Sequence, residues 1–174
     1  MTEKDYAMKF CMLILEDEKN ILRKAQYKES MKYILESYSR ILKEHPSIIM
    51  TDRFERTGKE DYSEVAELIK QVCLKQKIDV LTQYRDVEQS MLFGGLVEAL
   101  ARTLTLVKYY APEGELLAAI LSDAYCSPRV FTEVNICGHL NISRATLYRR
   151  KPKALLYAGY YFYEAVLPDM AGKI

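Results

Sequence analysis

Apolar residues spaced three and four positions apart are the feature that most limits what this chain can fold into. From Ile21 to Leu42 they follow the spacing that places side chains on one stripe of an α-helix. Helical patterns cover 4–44 and recur over about 79–110, whereas the 174 residues include only 7 glycines and 5 prolines. So few turn-forming residues disfavour a β fold with many turns. The sequence therefore predicts an all-α fold.

Breaks in these patterns divide the helical part of the chain. The polar run EDEKN at 16–20 interrupts the first stripe, so one helix and two helices both remain open. Pro46 ends that segment, because it disfavours helical geometry at the residue before it. The stretch 46–61 has no period and predicts a connector, which a further helix over 61–76 follows. The run APEGE at 111–115 then stops one helix and starts another.

Positive charge is concentrated near the end of the chain. The formal net charge is +1, yet residues 1–126 hold 18 Lys and Arg against 21 Asp and Glu, while residues 127–174 hold 7 against 3. Five basic residues fall within ten positions: Arg144, Arg149, Arg150, Lys151 and Lys153. Such a cluster on an otherwise acidic chain is typical of a phosphate-binding surface. A solvated basic helix end would explain the charge as well, so the neighbouring residues decide between the two.

Those neighbours fit a helix-turn-helix, in which two short helices pack across a tight turn. A turn at Asn141 places a supporting helix over about 132–139. Ser143 is suited to cap the second helix, because its hydroxyl can accept a backbone N–H bond. The positions expected to face inward carry apolar or small side chains: Val134, Ile136, Cys137, Leu140, Ile142 and Leu147. A solvated helix end does not explain this set of offsets, so we predict a helix-turn-helix.

The outward side chains of the second helix are the expected DNA contacts. Arginine can donate two hydrogen bonds to a guanine edge, and alanine can contact a thymine methyl group. The predicted base-reading residues are Arg144, Ala145, Tyr148 and Arg149. The predicted phosphate-binding residues, which position the helix without sequence preference, are Ser143, Arg150, Lys151 and Lys153.

Pro152 predicts a break in this second helix. Proline removes a backbone donor and disfavours helical geometry at the residue before it. We therefore expect the helix to stop or kink near Arg150 and a separate final helix to form over 152–167. Tyrosine-rich faces can stack on bases, but at helical spacing the tyrosines of that segment are expected to serve in packing and dimer contact.

The stretch from about 115 to 165 resembles the C-terminal part of the phage ArpU-like and RinA-like late-operon regulators, which are similar to region 4 of bacterial sigma factors. The matching features are the IL and AY pairs within 120–125, the supporting helix, the string LNISRATLYR at 140–149 and the trailing KAL at 153–155. The resemblance implies a transcriptional regulator of phage or mobile-element origin. It also implies that the helix starting at Ser143 enters the major groove.

Together these patterns predict a helical dimerisation or interaction region over 1–111 and a helix-turn-helix DNA-binding domain over 112–174. The expected partners are double-stranded DNA, RNA polymerase and a second copy of the chain. A homodimer is expected because the stripe from Ile21 to Leu42 is too long for a helix-turn-helix core to cover, and because one recognition helix gives little specificity. An alternative is a helical interaction protein that binds RNA polymerase or another regulator without contacting DNA.

The sequence contains no motif for catalysis, metal binding or membrane insertion. His45 and His139 are the only histidines, and neither lies in a known metal or nucleophile motif. The four cysteines are too scattered to supply paired zinc ligands. The first ten residues hold two acidic and two basic side chains, unlike the basic start of a signal peptide, and no stretch approaches the length of a membrane span. We predict a cytoplasmic protein that is not an enzyme, with no catalytic residue, metal or cofactor.

Overall fold

The structure, a computed structural model, describes residues 21–44, 88–127 and 131–172. The main helices are α1 (Ile21–Glu44), α2 (Glu88–Tyr110), α3 (Gly114–Leu121), α4 (Glu133–Leu140) and α5 (Arg144–Tyr161). These three ranges contain no strand, which confirms the predicted all-α fold. The polar run at 16–20, the connector at 46–61 and the helix predicted over 61–76 lie outside the described residues.

Two of the helices continue through a π-helical turn. The first π turn, Ser122–Cys126, extends α3, and Ser127 then leaves the helix in an extended conformation. The second π turn, Phe162–Val166, extends α5 and leads into the short helix α6 (Leu167–Met170). As a result α5, the second π turn and α6 follow one another without an intervening loop.

Pro152 lies inside α5, so the predicted stop near Arg150 and the separate final helix are wrong. Proline costs the helix one hydrogen bond, the one to the carbonyl of the residue four positions earlier. Here that residue is Tyr148, which is exposed, as is Pro152 itself. The segments on both sides of Pro152 are held by packing, through Leu147 and Ala154, which are both buried. Tertiary packing therefore outweighs the local preference of proline.

The main core lies between α1, α2, α3 and the second half of α5. The apolar stripe of α1 is buried in it through Met31, Ile34, Leu35, Tyr38 and Leu42. The second half of α5 and the π turn after it contribute Tyr157, Tyr160, Tyr161, Phe162 and Tyr163 to this core. The predicted packing of the tyrosines is therefore confirmed. These five residues of the stripe that suggested dimerisation are thus covered within the chain. The core also joins residues on both sides of the predicted boundary between 111 and 112.

Two glycines allow helices of this core to approach closely. At Gly159 a Cβ atom would lie 2.6 Å from the backbone oxygen of Tyr27, where α5 crosses α1. At Gly114 a Cβ atom would lie 2.2 Å from the backbone oxygen of Val107, where α3 turns back from α2. Real Cβ atoms do not approach other heavy atoms so closely, because interiors are already packed to contact distance. The absence of a side chain at Gly159 therefore lets α5 pack closely against α1 at this crossing.

Candidate nucleic-acid interface

A second, smaller core joins α3, α4 and the first half of α5, which together we call the three-helix unit. Each helix contributes one buried residue: Ile120 from α3, Ile136 from α4 and Leu147 from α5. The partly buried residues packed against them include Leu116, Phe131, Cys137, Leu140 and Ile142. The inward positions predicted from the sequence are therefore confirmed, with the exception of Val134.

Val134 points outward, and 57% of its surface is exposed. It precedes the buried Ile136 by two positions, which corresponds to about 200° around an α-helix. The two side chains cannot face the same core. Phe131, just before the helix, packs against the small core in its place.

The turn between α4 and α5 is formed at Asn141, as predicted. Asn141 adopts the left-handed conformation (φ 53°, ψ 47°), which asparagine tolerates better than most residues. Its N–H donates to the carbonyl of Gly138 at 3.4 Å, and the N–H of Ile142 donates to the carbonyl of Cys137 at 3.0 Å. These two bonds are those of a Schellman helix end. Because Ile142 then packs into the small core, the direction in which the chain leaves α4 is fixed.

Both helices of the motif begin at a capping side chain. The Thr132 Oγ1 atom accepts from the N–H of Asn135 at 3.3 Å, and the Asn135 side chain accepts from the N–H of Thr132 at 3.1 Å. The Ser143 Oγ atom accepts from the N–H of Thr146 at 3.0 Å, which confirms the predicted cap of α5. Each such cap stabilises a helix by about 1 kcal/mol. The outward side chains of α4 and α5 therefore project from well-defined backbone positions.

The predicted base-reading residues lie together on the exposed side of α5. Arg144, Ala145, Tyr148 and Arg149 are all exposed, and Lys153, one helical turn beyond Arg149, is exposed on the same side. We call these five residues the outer face. It carries three cations and no carboxylate. Ser143 is also exposed and lies at the start of this surface, immediately before the helix.

Arg150 and Lys151 lie away from the outer face, and we call them the inner pair. Arg150 donates from Nη2 to the Oε1 atom of Glu113 at 2.6 Å, and its side chain is only 22% exposed. The Nζ atom of Lys151 lies 5.1 Å from the centroid of the Tyr125 ring. The structure thus separates these two residues from Lys153, although the sequence grouped all three. Both residues were predicted to bind phosphates, and both cations have partners within the chain in this structure.

Tyr148 has a partner that the sequence did not indicate. Its hydroxyl donates to the Oε2 atom of Glu133 at 2.5 Å, across the turn from α5 to α4. The ring remains 59% exposed in the middle of the outer face. The hydrogen bond to the carboxylate raises the pKa of the Tyr148 hydroxyl. The two residues are 15 positions apart, and no local pattern in the sequence links them.

The contacts of His139 and Cys126 indicate structural roles for both residues. The Nδ1 atom of His139 lies 2.5 Å from the Oδ2 atom of Asp123, which ties α4 to the first π turn. Burial raises the pKa of the Cys126 thiol to about 12, so the thiolate is disfavoured there. Among the described residues, no group of three or more His, Cys, Asp and Glu side chains is placed to hold a metal ion. In the same part of the chain, no helix has both the length and the apolar character needed to cross a membrane.

Comparisons with protein families, with curated proteins and with solved structures found no match to this chain. The interpretation of the outer face therefore depends on its own geometry and chemistry.

Proposed function

We propose that this protein is a sequence-specific DNA-binding transcriptional regulator that inserts α5 into the major groove. The observation that carries the proposal is the outer face: three cations among its five side chains, on a capped helix that follows a tight turn. A helix fits the major groove of B-DNA, and cations on its exposed side meet phosphates and guanine edges there. The resemblance of residues 115–165 to late-operon regulators supports an origin in a phage or mobile element.

The residues of the outer face have different roles in this proposal. Arg144 and Arg149 contact guanine edges, and each well-placed pair of hydrogen bonds contributes about 1–3 kcal/mol of discrimination between bases. Ala145 is small enough to contact a thymine methyl group. Ser143 and Lys153 lie at the two ends of the surface, where the DNA backbone enters and leaves the groove. They are therefore assigned to phosphates.

The length of the outer face supports two copies of the chain on one site. From Arg144 to Lys153 the helix rises about 14 Å, which corresponds to about four base pairs of B-DNA. So short a sequence occurs too often in a genome to define a single site. Two recognition helices on half-sites one turn apart would double the length read. RNA polymerase remains the second proposed partner, on the basis of the resemblance to sigma region 4.

The test is competition binding with genomic DNA fragments that the protein retains in a pull-down. Replacing Arg144 or Arg149 with alanine should reduce the preference for the retained site by about 5- to 150-fold, which corresponds to 1–3 kcal/mol. The matched control is Lys32→Ala, which removes an exposed cation of α1 outside the three-helix unit. It should leave the preference unchanged, and all three variants should unfold at the temperature of the parent protein.

Two results would contradict the proposal. If both arginine variants keep the full preference, α5 is not the reading helix. If the parent protein shows no salt-dependent binding to duplex DNA, no phosphates are contacted, because phosphate contacts release counterions. That second result would favour the alternative of a helical interaction protein that binds RNA polymerase or another regulator.

A further inference from the structure

The hydrogen bond between Tyr148 and Glu133 changes what Tyr148 can offer to DNA. A tyrosine hydroxyl has one hydrogen to donate. When it is free, any phosphate oxygen can accept it, and the contact is then independent of sequence. In this chain that hydrogen is donated to Glu133, so Tyr148 keeps only its ring and the lone pairs of its oxygen. The exposed ring is therefore the part of Tyr148 left to contact a base.

The neighbours of the ring indicate which group it contacts. Ala145 lies three positions before Tyr148 on the same side of α5, so the two side chains form an apolar patch between Arg144 and Arg149. The apolar group that a base presents in the major groove is the 5-methyl of thymine. The carboxylate of Glu133 beside the patch also repels phosphates.

Glu133 has a fixed position from which to act. It occupies the first turn of α4, directly after the Thr132 cap, which orders the backbone of that turn. The carboxylate reaches Tyr148 across the Asn141 turn. The contact therefore depends on the helix-turn-helix geometry and not on one helix alone.

We propose that Glu133 is a specificity-determining residue of the DNA-binding surface. It positions the Tyr148 ring against a thymine methyl group and withholds the hydroxyl from phosphates. This inference rests on the proposed function, since it assigns a role at the same surface. It adds an acidic residue of α4 to a site that otherwise consists of α5 and its cap.

The experiment compares the selected duplex, the same duplex with single thymines replaced by uracil, and random DNA. Uracil lacks only the 5-methyl group, so the parent protein should bind about fourfold more weakly when the contacted thymine is replaced. Glu133→Ala should lose this methyl preference and bind random DNA about two- to fivefold more tightly, because a negative charge has been removed. Tyr148→Phe should lose part of the preference. The double variant should be no worse than Glu133→Ala, because the two residues act as a pair.

Glu133→Gln separates the hydrogen bond from the charge. Its amide oxygen can still accept from Tyr148, so the methyl preference should remain while binding to random DNA rises. The pair is exposed and contributes little to folding, so the midpoints of thermal unfolding should stay within about 5 °C of the parent protein. A larger fall in the midpoint of Glu133→Ala, together with the loss of preference, would instead show a structural brace and overturn the inference.

The remaining outcomes distinguish this inference from the proposed function. If the parent protein prefers its site but no thymine position responds to uracil, the inference is wrong and the proposed function stands. The same holds if Glu133→Ala keeps the fourfold difference. If the parent protein does not bind duplex DNA in a salt-dependent way, both are wrong.

Discussion

The two halves of α5 belong to one helix but are used in opposite ways. In the first half, over 144–153, a single fully buried side chain, Leu147, reaches the small core, and the opposite side is exposed. In the second half, over 154–161, every residue except Leu156 is buried in the main core. The first half presents side chains, and the second half anchors them. The orientation of the outer face is thus set by packing that lies elsewhere along the same helix.

This division predicts that the outer face can be altered without unfolding the protein. Its residues make few contacts with either core, so their replacement should change binding and leave stability almost intact. The anchoring half has no such freedom, because its side chains fill a closely packed interior. The continuity of α5 through Pro152 connects the two. The predictions below test this difference between presentation and anchoring.

The largest effect is expected at Leu147, the one anchor of the presenting half. Leu147→Ala should lower the free energy of unfolding by about 2–5 kcal/mol, because it leaves a cavity in the small core, where Leu147 packs with Ile120 and Ile136. Urea unfolding measures this change. The matched control is Val134→Ala on the exposed side of α4, which should change stability by less than about 0.5 kcal/mol. Equal effects for the two variants would show that the three-helix unit does not pack around Leu147.

A smaller effect is expected where the anchoring half crosses α1. Gly159→Ala should destabilise the fold by about 1–3 kcal/mol, because the new Cβ atom forces the backbones of α5 and α1 apart. Gly138→Ala is the control, since a Cβ atom there meets no atom within 4 Å. It should stabilise the protein by up to about 1 kcal/mol through the higher helix propensity of alanine. Thermal unfolding of both variants gives the comparison, and a stabilised Gly159→Ala would contradict the close crossing.

The pH dependence of stability should show whether Cys126 is buried against the main core. Folding raises the pKa of the Cys126 thiol from 9.0 to about 12 by burial. The folded state therefore favours the thiol, and this contribution to stability is complete below pH 9 and is lost as the pH rises towards 12. The free energy of unfolding should fall by about 1 kcal/mol more between pH 8 and pH 10 in the parent protein than in Cys126→Ala. Identical falls would show that the thiol is not buried against the main core.

The features that the sequence predicts correctly are those determined by residues close together in the chain. The turn at Asn141 and the cap at Ser143 follow from residues within a few positions, and both are confirmed. The helical stripe of α1 was also predictable, but its partner was not, because the covering tyrosines come more than a hundred positions later. Pro152 is a second example, because its local preference to end a helix is outweighed by packing.

Contacts between residues far apart in the chain also determine the arrangement of the candidate site. Tyr148 is held by Glu133, and Arg150 is held by Glu113, which lies 37 positions earlier in the chain. No periodic pattern connects residues so far apart, since helical spacing relates only positions three and four apart. For this reason the sequence placed Arg150, Lys151 and Lys153 in one group, while the structure divides them.

That division gives the smallest and most specific prediction, which concerns the salt dependence of DNA binding. Lys153 belongs to the outer face. Among the described contacts, it has no partner comparable to Glu113, which pairs with Arg150, or to Tyr125, which lies beside Lys151. If it contacts a phosphate, Lys153→Ala should reduce the slope of log K against log salt by about 0.9. Its free energy of unfolding should change by less than about 0.5 kcal/mol.

Arg150→Ala should show the opposite behaviour. The slope should stay unchanged, while the free energy of unfolding falls by about 1 kcal/mol, because the ion pair with Glu113 and the packing of the side chain are lost. Lys32→Ala again serves as the control, with no change in slope. A flattened slope for Arg150→Ala would mean that DNA draws Arg150 away from Glu113, so that the division between outer face and inner pair holds only in the free protein. An unchanged slope for Lys153→Ala would instead remove Lys153 from the binding surface, which would then end at Arg149 and cover less than two turns of α5.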